Sequence, residues 1–169
     1  MRMEKSIVLA GGCFWGMQGY FDRLDGVSFT RVGYANGTLP DPTYEQVKTG
    51  RTGHAEALWV EYEDGRLPLP HLLAHYWRVI DPTILNRQGN DIGTQYRTGI
   101  YYTDASDLPE IQKSRDREAD RYDDPIVTGI EELRCFYDAQ AYHQRYLAKN
   151  PGGYCHIHVS PEGWTPDDV

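Results

Sequence analysis

Ser6-Ile7-Val8-Leu9-Ala10-Gly11-Gly12-Cys13-Phe14-Trp15-Gly16-Met17 is the stretch that decides the fold. Ser6 to Ala10 is a short run dominated by apolar and β-branched residues, and Gly11-Gly12 stops it. That is the pattern of a buried strand ending in a tight turn. Phe14, Met17, Phe21 and Leu24 then recur at helical spacing and predict a helix from about Phe14 to Asp25-Gly26. Val27 to Tyr34 reads as a second strand, closed by Ala35-Asn36-Gly37. The chain therefore opens with a β-α-β unit, and Cys13 stands where its first strand turns into its helix.

Downstream, Thr43 to Lys48 predicts a short helix, His54 to Tyr62 a strand, and Pro70 to Val79 a second long helix. Asp81 to Arg97 is rich in Gly, Asn, Asp and Gln with little periodicity; a loop of that length in a compact domain is usually functional or mobile. Gly99 to Thr103 predicts a short strand, and Leu108 to Arg121 a charged, exposed helix capped by Ser106 or Asp107. Ile126 to Phe136 predicts a strand, Gln140 to Lys149 a helix, and Tyr154 to Val169 an irregular tail. The order β-α-β-β-α-β with extra helices and long loops predicts an α+β domain, a two-layer α/β sandwich with a ferredoxin-like core around a small mixed sheet. No repeat or linker divides the chain, so residues 1–169 are expected to form a single catalytic domain.

Composition narrows the function. Seventeen Lys and Arg against 25 Asp and Glu give a net charge of −8 and a pI near 5.2, the wrong sign for non-specific nucleic-acid binding or an anionic membrane. Mean hydropathy is −0.64, with no run long enough to span a bilayer and no apolar stretch near the start longer than Ile7 to Ala10, so no export signal is expected. Three cysteines, Cys13, Cys135 and Cys155, are too few for a disulfide framework, and a cytoplasmic, reducing compartment is expected.

Cys13 has two readings. It is a small buried hydrophobe at a strand–helix junction, or a nucleophile whose thiol is lowered in pKa by the unsatisfied N–H groups of the helix's first turn. A phosphate loop is a poor third reading: Gly11-Gly12-Cys13-Phe14-Trp15-Gly16 is not G-x-G-x-x-G, and no lysine is placed to reach a phosphate. Phe14 fits the buried stripe of the helix. Trp15 does not, and is the better candidate wall of an apolar pocket beside the sulfur.

Gly12-Cys13-Phe14-Trp15-Gly16 resembles the signature of the peptide methionine sulfoxide reductase A family. Four further blocks follow in that family's order: Pro42-Thr43-Tyr44 with Gly53-His54-Ala55-Glu56; Arg87-Gln88-Gly89-Asn90-Asp91 with Gly93-Thr94-Gln95-Tyr96-Arg97; Tyr142-His143-Gln144; and Asn150-Pro151 through Gly153-Tyr154-Cys155. The resemblance spans roughly residues 8 to 158. It implies reduction of the S epimer of methionine sulfoxide, free or in a peptide, without metal or cofactor and with thioredoxin as reductant. A monomer is expected.

The resemblance also implies roles. Cys13 is the nucleophile and Glu56 the acid, with Phe14 and Trp15 against the substrate. Tyr44 and Tyr96 donate hydrogen bonds to the sulfoxide oxygen, and Asp91 orders the site. Cys155, freed by Gly152-Gly153, recycles the Cys13 sulfenic acid, which must be condensed before further oxidation. The residues themselves fit these roles in part. Glu56 alternates onto one strand face with Leu58, Val60 and Tyr62, where desolvation holds a carboxyl's proton longer; alone it would read as a solvated strand-end glutamate. Many family members carry another cysteine beyond the position of Cys155, and this chain has none, so the relay is expected to end at Cys155. Asn36 stands where the family often has glycine, and Asn tolerates left-handed backbone. Gln140 and Ala141 stand where acidic residues are common.

Other readings use the same cysteines: a thiol peroxidase or disulfide oxidoreductase, or a thiol-based redox sensor. The lack of C-x-x-C and the presence of Glu56 and the tyrosines weigh against them. His71 and His75, four apart on a helix, and the Cys155-His156-His158 cluster suggest metal ligands only weakly, and no metal is expected. His143 reads as a packed helix residue near the site. Cys135, between Leu133 and Phe136 in a strand, reads as a small packed hydrophobe.

Overall fold

A computed structural model describes residues 4–166; the first three residues of the expected domain and the last three of its tail lie outside the described part. Strand β1 (Glu4–Gly11) leads into helix α1 (Phe14–Phe21), β2 (Val27–Ala35), helix α2 (Tyr44–Lys48), β3 (Ala55–Glu63) and helix α3 (Leu69–Arg78). The long loop folds into two short strands, β4 (Arg87–Gln88) and β5 (Asp91–Ile92), and a 3-10 turn at Thr94–Tyr96. There follow β6 (Thr98–Tyr102), helix α4 (Leu108–Ala119), β7 (Gly129–Glu132), β8 (Phe136–Asp138), a 3-10 turn at Ala141–His143 and helix α5 (Tyr146–Lys149). The chain is thus α+β.

The main sheet runs β7-β6-β1-β3-β2-β8. It is mixed: β6 and β7 are parallel and every other pair is antiparallel. β1 and β2 both pair with β3, so the opening β-α-β unit is split by a strand from later in the chain. Side chains alternate as a strand requires. Ile7, Leu9, Val32, Tyr34, Leu58, Val60, Tyr62 and Ile100 join the large core with Phe14, Met17 and Phe21 of α1 and Leu72, Leu73 and Tyr76 of α3. Val8, Ala10, Ala35, Ala55, Ala57 and Tyr101 form a second, smaller cluster. Small side chains on that face allow the sheet to curl toward it.

Two expected elements are corrected. The strand expected over Ile126 to Phe136 is two strands, β7 and β8, on opposite edges of the sheet. Residues 133–135 join them, and that link reaches at most about 14 Å, whereas five flat strand spacings would span about 24 Å. The sheet must therefore curl until its edges nearly meet. Leu133 and Phe136 pack on the smaller cluster. Asn36, left-handed at φ 58, ties the link down: its Oδ1 accepts the N–H of Arg134 at 2.7 Å and its Nδ2 donates to the Glu132 carbonyl at 3.0 Å. The second correction is the helix expected over Gln140 to Lys149. It is broken at Arg145, which is left-handed at φ 55. The Gln144 amide pairs with both backbone groups of Val32, and the Arg145 N–H reaches Gln18 Oε1 at 2.6 Å. These bonds to β2 and α1 replace one turn of helix.

Smaller differences sit at element ends. α1 stops at Phe21, a turn earlier than the apolar spacing suggests. Asp107 precedes α4 without capping it through its side chain; Asp104 caps the preceding turn through the Ser106 N–H. No helix among the described residues is long and apolar enough to cross a membrane.

Candidate active site

Cys13 is the last residue before α1, extended at φ −60 and ψ 123. Gly12 before it is left-handed at φ 86, the backbone geometry that turns strand into helix and favours glycine. Cys13 is 7% exposed. Glu56, near the start of β3, is 2% exposed and shares its strand face with Leu58, Val60 and Tyr62, as alternation predicts. Its Oε1 accepts the N–H of Phe14, the residue after Cys13, at 3.2 Å. One first-turn donor of α1 is thus spent on the carboxyl that flanks the sulfur.

Burial pushes the Glu56 carboxyl up to about 8; the Phe14 N–H opposes the rise and the Asp91 carboxylate adds to it. The acid therefore keeps its proton at neutral pH. Linkage gives a consequence for stability. The unfolded chain ionises near the ordinary 4.5 and the folded chain only near 8, so the folded state binds the extra proton between them and loses stability as pH rises through that window, by roughly 1.4 kcal/mol per unit. Glu56→Gln, which cannot ionise, should therefore gain stability over the parent between pH ~5 and ~8. Urea midpoints of the two proteins at both pH values check this; a constant difference would contradict it.

The expectation for the Cys13 thiol is corrected. Burial, the largest influence, pushes it up, and the Glu56 and Asp91 carboxylates add to the rise. The N–H groups of Trp15 and Gly16 pull it down as expected for a helix start, but desolvation outweighs them. A protonated Glu56 removes its share of the rise.

Tyr44 is the first residue of α2, and a capping box fixes it: Gln46 N–H donates to the Thr43 hydroxyl at 3.2 Å, and the Thr43 N–H donates to Gln46 Oε1 at 2.9 Å. Such a cap contributes about 1 kcal/mol. The Tyr44 phenol hydrogen-bonds that of Tyr96, and burial, then Glu56 and Cys13, push it up to about 12. Tyr96, carried by the 3-10 turn, is pushed up by burial and by Glu56, Tyr44, Asp91 and Cys13. Both phenols remain protonated donors. Asp91 on β5 accepts the Tyr154 hydroxyl at 2.8 Å. The structure thus gathers Cys13, Glu56, Tyr44, Tyr96 and Asp91 within electrostatic reach of one another.

Phe14 is fully buried, its ring 5.8 Å from Tyr34 and 5.5 Å from His143. Trp15 is half-buried. It stacks on Tyr146 at 3.8 Å, and its Nε1–H donates to His143 Nδ1 at 3.1 Å. A surface depression of about 450 Å³ is walled by Trp15, Tyr44, Tyr142 and His143 among others. A groove of about 350 Å³ on the other side of Trp15 is lined by Cys155, Tyr146 and Leu147. Cys155 lies over α1 one turn beyond Cys13: a Cβ placed on Gly16 would stand 3.2 Å from its Sγ. Its thiol donates to the Ile157 carbonyl at 3.3 Å, and all three cysteines are free. Cys135 sits in the link between β7 and β8, held by the Gly37 carbonyl at 3.5 Å and Asn36 Oδ1 at 3.4 Å.

Sequence reasoning missed Tyr34 and understated His143. Tyr34 is the register partner of Glu56 across β2 and β3, and burial, Glu56 and Tyr44 raise its phenol. Alternation with Val32 signals that Tyr34 is buried, but not what it faces. His143 is the hub of the aromatic wall, stacked on Tyr44 at 4.4 Å.

A nearly buried thiol, a protonated carboxyl bound to the next residue's N–H, and two phenols thus lie together at the start of α1, an arrangement that suits thiol-based oxidoreductase chemistry. The family model for peptide methionine sulfoxide reductase matches residues 5–165. A peptide methionine sulfoxide reductase MsrA of Clostridium acetobutylicum is 60% identical over 153 residues, covering 90% of this chain and 94% of that protein. Among solved structures, Mxr1 of Saccharomyces cerevisiae in reduced form superposes with a TM-score of 0.86 at 38% identity, over 93% of this chain and 92% of that one. Mxr1 in complex with Trx2 matches with a TM-score of 0.64 at 28% identity, over 94% and 91%. The chain belongs to the peptide methionine sulfoxide reductase family.

Proposed function

We propose that this chain reduces the S epimer of methionine sulfoxide, free or in proteins, to methionine, and so repairs oxidative damage. The observation that carries the reading is the Glu56 carboxyl, protonated to about pH 8 and bonded to the N–H beside Cys13. The Cys13 sulfur attacks the sulfoxide sulfur while Glu56 protonates the oxygen. Tyr44 and Tyr96 donate hydrogen bonds to that oxygen, and Asp91, held by Tyr154, orders their surroundings. The Cys13 thiol proton replaces the one Glu56 gave, the hydroxyl passes from the substrate sulfur to the Cys13 sulfur as the bond between the two sulfurs breaks, and methionine leaves with Cys13 as a sulfenic acid. Cys155 then attacks Cys13, water departs, and a disulfide forms. A thioredoxin dithiol reduces it, in keeping with the similarity to Mxr1 in its complex with Trx2. No metal or cofactor has a step in this cycle.

The order of the four inner strands, β6-β1-β3-β2, supports counting the core as ferredoxin-like, in one catalytic domain over residues 1–169. Three free thiols suit a reducing cytoplasm, and the cycle needs only one copy of the chain.

The wall chemistry sets the specificity. The substrate methyl lies against Trp15, with Phe14 beneath, and the oxygen faces Glu56, Tyr44 and Tyr96. Exchanging the two places the oxygen on the aromatic side without donors. Thioredoxin-coupled assays on each purified epimer and on hydrogen peroxide test the reading. Turnover of the S epimer alone is expected; equal rates on both epimers, or peroxide as the better substrate, would overturn it.

A further inference from the structure

His156 is a partly buried imidazole that this cycle does not yet use. Its Nε2 bonds the Gly11 carbonyl at 2.8 Å, in the turn that carries Cys13. Since a carbonyl only accepts, Nε2 holds the proton and Nδ1 offers a lone pair. Nδ1 is buried and has no hydrogen-bond partner, a costly state for a polar atom. The ring sits in a slot left by absent side chains. A Cβ on Gly12 would lie 3.0 Å from Nε2, and a Cβ on Gly16 would lie 3.1 Å from Nδ1. The same point on Gly16 is 3.2 Å from the Cys155 Sγ. The unpaired nitrogen and the recycling thiol therefore flank the same point above Gly16, one turn from Cys13, with the thiol resting on the Ile157 carbonyl.

We propose that His156 is the proton carrier of the recycling step: Nδ1 takes the Cys155 thiol proton and passes it to the hydroxyl leaving Cys13. This rests on the cycle proposed above. The balance closes without another reagent. The Cys155 S–H and Cys13 S–O bonds break, and the S–S bond forms. The Cys155 sulfur is oxidised and the Cys13 sulfur reduced, and the thiol proton leaves with the hydroxyl as water. Burial lowers the imidazole pKa, which keeps Nδ1 free to accept at neutral pH. The Gly11 hydrogen bond and Asp91 oppose that shift and His158 adds to it; Cys155 is the thiol that shares the space above Gly16 with the ring.

His156→Gln separates proton transfer from mere anchoring. A glutamine amide N–H can still donate to the Gly11 carbonyl, but the amide has no basic nitrogen. One equivalent of sulfoxide is mixed with the enzyme without reductant, and methionine release and thiol loss are followed separately by acid quench and alkylation. The methionine burst should match the parent within about twofold, whereas disulfide formation slows roughly a hundredfold and loses its dependence on pH below neutrality. In His156→Ala, added imidazole should restore part of the rate. Disulfide formation at the parent's rate, an equal loss in the burst, or slow closure with the parent's pH profile would overturn the proposal. A parent that makes methionine but no Cys13–Cys155 disulfide would instead refute the underlying cycle, and this role with it.

Discussion

Cys13→Ser is expected to make no methionine at all, because a hydroxyl has no comparable nucleophilicity near neutral pH. Cys155→Ser divides the cycle differently. It should release about one methionine per enzyme in a pre-steady-state burst and then stall with thioredoxin, since the sulfenic acid has no partner thiol. Cys135→Ser should turn over as the parent does. The contrast is one of freedom. Cys135 is stitched to Asn36 and Gly37, while Cys155 follows Gly152, around which a side chain would meet open space, and lies already above the helix that Cys13 begins. Methionine formation by Cys13→Ser, or sustained turnover by Cys155→Ser, would break this division of labour.

Glu56→Gln should slow the sulfoxide-reduction step by roughly two orders of magnitude or more, the usual scale of a general acid. An amide can keep the shape of the site but cannot give up a proton to the leaving oxygen. The sign of the pH dependence follows from the same group. The acid must be protonated to act, so the parent's single-turnover rate should fall as pH rises through about 8. In Glu56→Gln that fall should vanish along with most of the rate. A variant rate within about twofold of the parent at neutral pH would remove Glu56 from the chemistry.

Much of the site was legible because its parts obey local rules. The glycine pair before Cys13 marks a strand-to-helix turn, and the alternation of Glu56 with Leu58, Val60 and Tyr62 marks the apolar face that raises its pKa. Asn36 announces a left-handed turn. What was not legible depends on distance in the chain. No local pattern tells that the run from Ile126 to Phe136 splits between opposite sheet edges, because the split is made by the curl of the whole sheet and by Asn36, far earlier in sequence. The helix expected from Gln140 to Lys149 is interrupted because Gln144 finds partners on the Val32 backbone. The Cys13 thiol is misjudged for the same reason. A helix start is visible in sequence, but the burial that outweighs it comes from elements packed around it. Tyr34 and His156 earn attention only once register and packing place them beside Glu56 and Cys155.

The central claim is that oxygen passes to Cys13 and is cleared by Cys155. Peptide mapping of the enzyme after treatment with methionine sulfoxide, without reductant, tests it most directly. One disulfide is expected, between the peptides carrying Cys13 and Cys155, with Cys135 free to alkylate. A bridge between Cys13 and Cys135 would contradict it.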